Sequence, residues 1–318
     1  MTRSGTMTLL AKQYIAMRRR LGYQIRTEGR QLLVFAHWAD RIGHRGPLTI
    51  DIALRWARLP KKATPLYWAR RLEVVRCFAR HLAILDPRTQ IPPQRLLGPA
   101  HQRRTPYIYS PRQIQQLLAC AGKLAPRGGL RPKTYRALLG LLACTGLRIS
   151  EALKLRRGDV DLDQGLLHVG PSKFFPGRTL PLHPTSVLAL RHYASFRDRY
   201  HPLAGATTFF LSERGRALAY TTVRITFRRI CQRQGWVARP TQPAPRIHDL
   251  RHTFACRNLL RWHRQGKAVD HAILNLSNYL GHRKVTDTYW YLTAIPELLA
   301  IAGRRFERSA SAGKGERP

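Results

Sequence analysis

Acidic residues are scarce in this 318-residue chain: 17 aspartates and glutamates stand against 56 lysines and arginines, a formal net charge of +39. A compact fold with that excess repels itself unless an anionic partner screens it, and double-stranded DNA carries a dense run of such charge. Long apolar stretches are also missing. None approaches the roughly 20 residues of a membrane-spanning helix, and no secretory leader pattern follows the start, so a membrane partner is not expected and a cytoplasmic, nucleoid-associated protein is. The cysteines number five. Cys77, Cys120, Cys144, Cys231 and Cys256 contain no C-x-x-C pairing, which argues for free thiols rather than a disulfide framework or a zinc finger. Neither a G-x-x-x-x-G-K-[ST] loop nor an acidic metal-binding cluster occurs, so no cofactor is expected.

What the chain does contain begins with helical periodicity. Leu10, Tyr14, Met17 and Leu21 share one face; Leu32, Phe35, Ala39 and Ile42 make a second stripe; Ile52, Trp56 and Leu59 make a third. Thr64-Pro65 is a helix start, with Trp68, Leu72, Val75, Ala79 and Leu82 following up to Asp86-Pro87. A helical bundle is expected over 1–88, with Arg70 and Arg71 among the basic residues of a DNA-facing surface. Pro92-Pro93, Gly98-Pro99, Arg103-Arg104 and Pro106 give residues 89–106 the texture of a linker.

A second domain is expected over 107–306. Ser110-Pro111 caps a helix, and an apolar helix from Ala137 to Cys144 stops at Thr145-Gly146. The alternation in Leu166-Leu167-His168-Val169 and Arg178-Thr179-Leu180-Pro181-Leu182 predicts a small sheet or hairpin. Helices are expected again over Thr185 to Tyr200 and Thr221 to Gln234. In the latter Arg224, Arg228 and Arg229 take one broad side, suited to DNA, and Val223, Phe227 and Ile230 another. Residues 307–318 read as a disordered basic tail.

The chemistry-bearing residues fall in four ordered blocks: Thr145-Gly146-Leu147-Arg148-Ile149-Ser150-Glu151, then His248-Asp249-Leu250-Arg251-His252, then Leu280-Gly281-His282, then Tyr291. Guanidinium groups clamp phosphate oxygens bidentately and a phenol can become a covalent nucleophile, so such a set suits phosphoryl transfer to tyrosine. His248 and His252 stand four apart as zinc ligands can. Position 249 is aspartate, however, and Arg251 between them repels a cation.

These blocks, with a tyrosine nine residues after His282, resemble the tyrosine recombinases, or phage integrase family. The resemblance implies a mainly α fold with a small β-sheet, in which a helical core-binding bundle precedes a mixed α+β catalytic domain. It implies a site-specific DNA recombinase or integrase that cuts and rejoins DNA through a 3′-phosphotyrosyl intermediate. On matching positions Arg148 and Arg251 would clamp the phosphate, His282 would hydrogen-bond it, and Lys173 would protonate the leaving 5′-oxygen. His248 would orient or deprotonate the nucleophile, with Glu151 in support. The nine-residue step selects Tyr291 as nucleophile over its neighbours Tyr289 and Tyr279. Double-stranded DNA is the implied substrate and a homo-tetramer, or an assembly with partner recombinases, the implied working form. The stretch from Val285 to Leu298 is closest in character to integrases and transposases of bacterial mobile elements. Two other readings stay open on these residues: a non-catalytic DNA-binding protein on the same fold, and an enzyme like a type IB topoisomerase.

Overall fold

Four helices make the first of two units into which the chain divides, Met1–Arg104 and Thr105–Pro318. The computed structural model describes residues 6–102, 105–170, 177–202, 207–239, 243–266, 269–282 and 284–288. Lys173, Tyr289, Tyr291 and the 307–318 tail lie outside the described residues.

The helices of the first unit are α1 (Met7–Arg20), α2 (Arg26–Arg41), α3 (Ile50–Arg58) and α4 (Pro65–Leu85). Their starts follow local chemistry. The Thr6 and Thr49 hydroxyls accept from the third backbone N–H beyond them, and Pro65 opens α4 where its missing N–H costs nothing. The core holds Phe35, Trp56, Val75, Phe78 and Ala79. The expected stripes on α2, α3 and α4 pack there, except that Ile42 and Leu59 lie just past their helices and are exposed, and that half-buried Trp68 donates its indole N–H to the Pro60 carbonyl outside this core. On α1 the buried face is one residue away from the expected one: Met7, Ala11 and Ile15 are buried, Leu10 and Tyr14 flank them, and Leu21 is exposed. The sequence favoured the larger side chains, whereas close packing against α2 selects the small Ala11.

Two further expectations change here. Arg71, placed above on the DNA-facing surface, is buried: its Nη2 donates to the Trp56 carbonyl at 2.8 Å and its guanidinium lies 3.6 Å from the centre of the Trp56 ring. It is a packing residue, a cation–π partner of the core. Much of the proline-rich stretch read as a linker is a strap bound to the first unit. Gln90 N–H donates to the Leu48 carbonyl, and its side-chain oxygen accepts from Ile50 N–H at 3.0 Å. Arg76 and Arg70 then donate to the carbonyls of Pro92 and Ala100. Prolines leave carbonyls without matching N–H donors nearby, and the arginines of α4 satisfy them.

The second unit is helical around a small sheet. Its helices are α5 (Pro111–Ala121), α6 (Leu130–Thr145), the short α7 (Ile149–Ala152), α8 (Pro184–Tyr200), α9 (Tyr220–Arg233), α10 (Asp249–Arg264) and α11 (Val269–Leu280). A capping box joins Ser110 and Gln113 at the start of α5. Strands β1 (Val160–Asp161), β2 (Leu166–Val169) and β3 (Arg178–Pro181) pair antiparallel in that order, with Leu167 opposite Leu180 and Val169 opposite Arg178. Leu167, Val169 and Leu180 face the core, as the alternation requires. Helix α6 is buried on most sides and packs against α5, α8 and α10. It therefore fixes the turn at its own C-terminus, where the site begins.

Candidate active site

Helix α6 stops at Gly146 because the chain there adopts a left-handed turn, φ +63°, and because a Cβ would stand 2.6 Å from the Phe254 ring. Arg148 follows as the residue before α7. The Glu151 carboxylate reaches back across that turn: it accepts the Arg148 backbone N–H at 2.9 Å and Arg148 Nη1 at 3.0 Å. Burial acts to raise the Glu151 pKa. Hydrogen bonds from the Arg178 side chain and the Arg148 backbone, with the charges of both guanidiniums, outweigh it and hold the carboxyl below its usual range.

Helix α10 brings Arg251 in from the other side. Its side chain is 1% exposed, and Nη1 and Nη2 donate to the carbonyls of Gly146 at 2.9 Å and Leu280 at 2.7 Å. The N-terminus of α10 is anchored twice. Arg246 grips Asp249 through Nη2 at 2.7 Å, and Tyr109 N–H donates to Thr253 Oγ1 at 3.0 Å.

Helix α11 supplies the third side. Its last two residues and the glycine after them present successive carbonyls to three different arginines: Tyr279 O accepts from Arg178 Nε at 2.7 Å, Leu280 O from Arg251 Nη2 at 2.7 Å, and Gly281 O from Arg148 Nη2 at 2.8 Å. Helix C-termini leave carbonyls without intrahelical donors and carry negative partial charge, so cations belong there. Gly281, at φ +68°, lets the chain leave this point; a Cβ on it would lie 2.8 Å from Arg178 Nη1. His282 comes next, with Nδ1 2.7 Å from the hydroxyl of buried Thr288.

Three imidazoles share the site. The rings of His248 and His252 meet edge to face at 4.7 Å. His252 is buried, whereas His248 is exposed, its ring crowded by protein on one side only. Burial, reinforced by Arg251 and other nearby cations, pulls His248 down to about 4 and His282 to about 3. Both rings are therefore neutral at pH 7, able to accept a proton or to donate one hydrogen bond.

The structure thus brings together Arg148, Glu151, Arg251 and His282, with His248 at the head of the same helix as Arg251. Of the tyrosines, Tyr279 is stacked on Phe254, and burial pushes its phenol up to about 12, which disfavours it as a nucleophile. Arg224, Arg228 and Arg229 are exposed along α9, and Arg70 is exposed on α4 with one N–H on Ala100. Sequence reasoning missed Arg178, Arg246 and Thr288. Arg178 opens a strand that the alternation did mark, but nothing in the alternation says that its side chain turns toward Glu151.

The phage integrase family model matches residues 109–297. The chain is 40% identical over 309 residues to a Sinorhizobium fredii protein named "Putative integrase/recombinase y4rB", covering 96% of this chain and 98% of that one. It is 27% identical over 276 residues to the tyrosine recombinase XerC of Roseiflexus castenholzii, covering 84% and 80%. Among solved structures, the Tn1549 transposon integrase in complex with a circular intermediate DNA shares the fold, with TM-score 0.67, 18% identity and coverage of 95% and 99%. The chain belongs to the phage integrase family, that of the tyrosine recombinases, and is by class a site-specific recombinase.

Proposed function

We propose that this recombinase cuts and rejoins double-stranded DNA through a 3′-phosphotyrosyl intermediate formed on Tyr291, and that it mobilises a bacterial genetic element. The observation that carries this reading is the convergence of Arg148, Arg251 and His282 on the end of α11. Two guanidiniums and a neutral imidazole at one point suit the non-bridging oxygens of a phosphodiester as charge builds on them.

In this reading the Tyr291 oxygen attacks phosphorus and the bond from phosphorus to the 5′-oxygen breaks. The phenolic proton passes to neutral His248, and Lys173 gives a proton to the departing oxygen. A 5′-hydroxyl of the partner strand then attacks phosphorus, giving its proton to the now neutral Lys173; the bond from phosphorus to the Tyr291 oxygen breaks, and protonated His248 returns its proton to the phenol, restoring the backbone. The phosphodiester energy is held in the protein–DNA link, so the exchange is isoenergetic. Arg224, Arg228 and Arg229 on α9, with Arg70 on α4, would hold the duplex by its phosphates. A homo-tetramer, or an assembly with partner recombinases, would bring two duplexes together. The 40% identical relative supports the integrase reading, and the fold shared with a transposon integrase supports the mobile-element one.

The test is covalent trapping: nicked duplexes from the flanks of the protein's own gene are incubated in EDTA and denatured in SDS. The expected result is an SDS-resistant adduct that Tyr291→Phe abolishes. Tight, salt-sensitive binding without an adduct on any of the flanking duplexes would overturn the reading in favour of a DNA-binding protein.

A further inference from the structure

Arg178 belongs to none of the motif blocks, yet it is built into the site as firmly as the residues that do. Its side chain is 12% exposed. Nη2 and Nη1 donate to Glu151 Oε2 at 3.0 Å and Oε1 at 3.3 Å, and Nε donates to the Tyr279 carbonyl at 2.7 Å. Its guanidinium also fills the space that Gly281 leaves by lacking a side chain. Lysine could not make this set of bonds, because a point ammonium lacks the planar fork.

The charge arithmetic gives the arrangement a purpose. Glu151 accepts from Arg148 Nη1 as well as from Arg178. A single pair of Arg148 with Glu151 would be neutral, and a neutral pair attracts a phosphate weakly. With Arg178 on the same carboxylate, the three groups carry one net positive charge in a half-buried setting, where such charges are poorly screened.

We propose that Arg178 is a positioning residue for phosphate capture: it takes up the charge of Glu151 and pins the end of α11, so that Arg148 meets the scissile phosphate as an uncompensated cation beside His282. This role rests on the recombination chemistry proposed above. It assigns Glu151 a second task, as the joint between a cation that meets DNA and one that does not.

The experiment is a charge-rescue series read by single-turnover cleavage of the nicked duplex. Arg178→Met is expected to slow cleavage by about 10- to 100-fold, less than the roughly 10²- to 10³-fold of losing a donor on the reacting oxygen, because Arg178 acts through Arg148. Adding Glu151→Gln to Arg178→Met removes the carboxylate that then neutralises Arg148, and is expected to recover a substantial part of that rate. Arg178→Lys, which keeps the charge and loses the Tyr279 bond, is expected to fall between the wild type and Arg178→Met. The same series on a duplex with a methylphosphonate at the scissile position, which carries no charge for Arg148 to meet, is expected to show no rescue. A double variant no faster than Arg178→Met, or a rescue of equal size on the methylphosphonate, overturns the role, because a purely structural contribution does not depend on the charge of the phosphate. A wild-type protein that forms no adduct overturns the recombination reading and this role with it, whereas a wild-type adduct without rescue overturns the role of Arg178 alone.

Discussion

The Gly146 carbonyl accepts a hydrogen bond from Arg251 at 2.9 Å, so the residue that ends α6 also holds the side chain that α10 delivers. A substitution at this glycine meets two obstacles, the φ of +63° and the Phe254 ring 2.6 Å from a new Cβ. Gly146→Ala is expected to destabilise the fold by about 2 kcal/mol or more, the range of a strained backbone combined with overpacking. Chemical denaturation of the two proteins measures this, and an unchanged midpoint would contradict the packing described.

Arg148 and Arg251, proposed above to clamp the phosphate, are expected to fail differently. Arg251 is fully buried on two carbonyls, so Arg251→Met leaves both without that donor and should cost about 2–4 kcal/mol of stability as well as cleavage. The Arg148 side chain is 35% exposed, so water can replace much of what Arg148→Met removes. Thermal melts beside cleavage assays should show activity lost in both variants and stability lost mainly in Arg251→Met.

Arginines of the two units divide in the same way. Arg71→Ala removes the cation stacked on Trp56 and should lower stability while leaving the salt dependence of DNA binding unchanged. Arg224→Ala and Arg228→Ala, on the exposed side of α9, should leave stability unchanged. Each should reduce the slope of log affinity against log salt by about 1. Titrations at several salt concentrations distinguish the two behaviours.

Acid stability is expected to follow the buried imidazoles. Burial, then the proximity of His248, Arg246 and Arg251, lowers His252 from its ordinary 6.5 to about 3. Between those values the unfolded chain binds more protons than the folded one. The contribution of His252 is thus complete above pH 6.5 and declines as pH falls toward 3. For this group alone the loss between pH 7 and pH 5.5 is about 1 kcal/mol. Urea denaturation at the two pH values should show it, and His252→Gln should reduce the difference.

Much of this was legible from residue order. The stripe Leu72, Val75, Ala79, Leu82 became the inner face of α4 as read, whereas Trp68, expected on the same face, stays half-buried outside that core. The alternation at Leu167 and Leu180 likewise gave the sheet its buried side. What could not be read were contacts made between distant segments. Arg71 and Arg70 are neighbours of identical type, and only the position of Trp56 decides which of them is buried. Arg178 and Glu151 lie 27 residues apart, and no local pattern links a strand's first residue to a carboxylate on a short helix. Prolines suggested a free linker after α4 because their side of the hydrogen-bond balance is local, whereas the arginine donors that tie the strap down come from another element.

The cap on α11 bears on how this protein can diverge. Tyr279, Leu280 and Gly281 each serve a different arginine through the backbone, and His282 enters the site on the next residue. The side chains of Leu280, buried in the core between α10 and α11, and Tyr279, stacked on Phe254, brace the same turn. An inserted or deleted residue would pass every arginine to the wrong carbonyl at once and turn His282 away. The segment is therefore closed to any change of length.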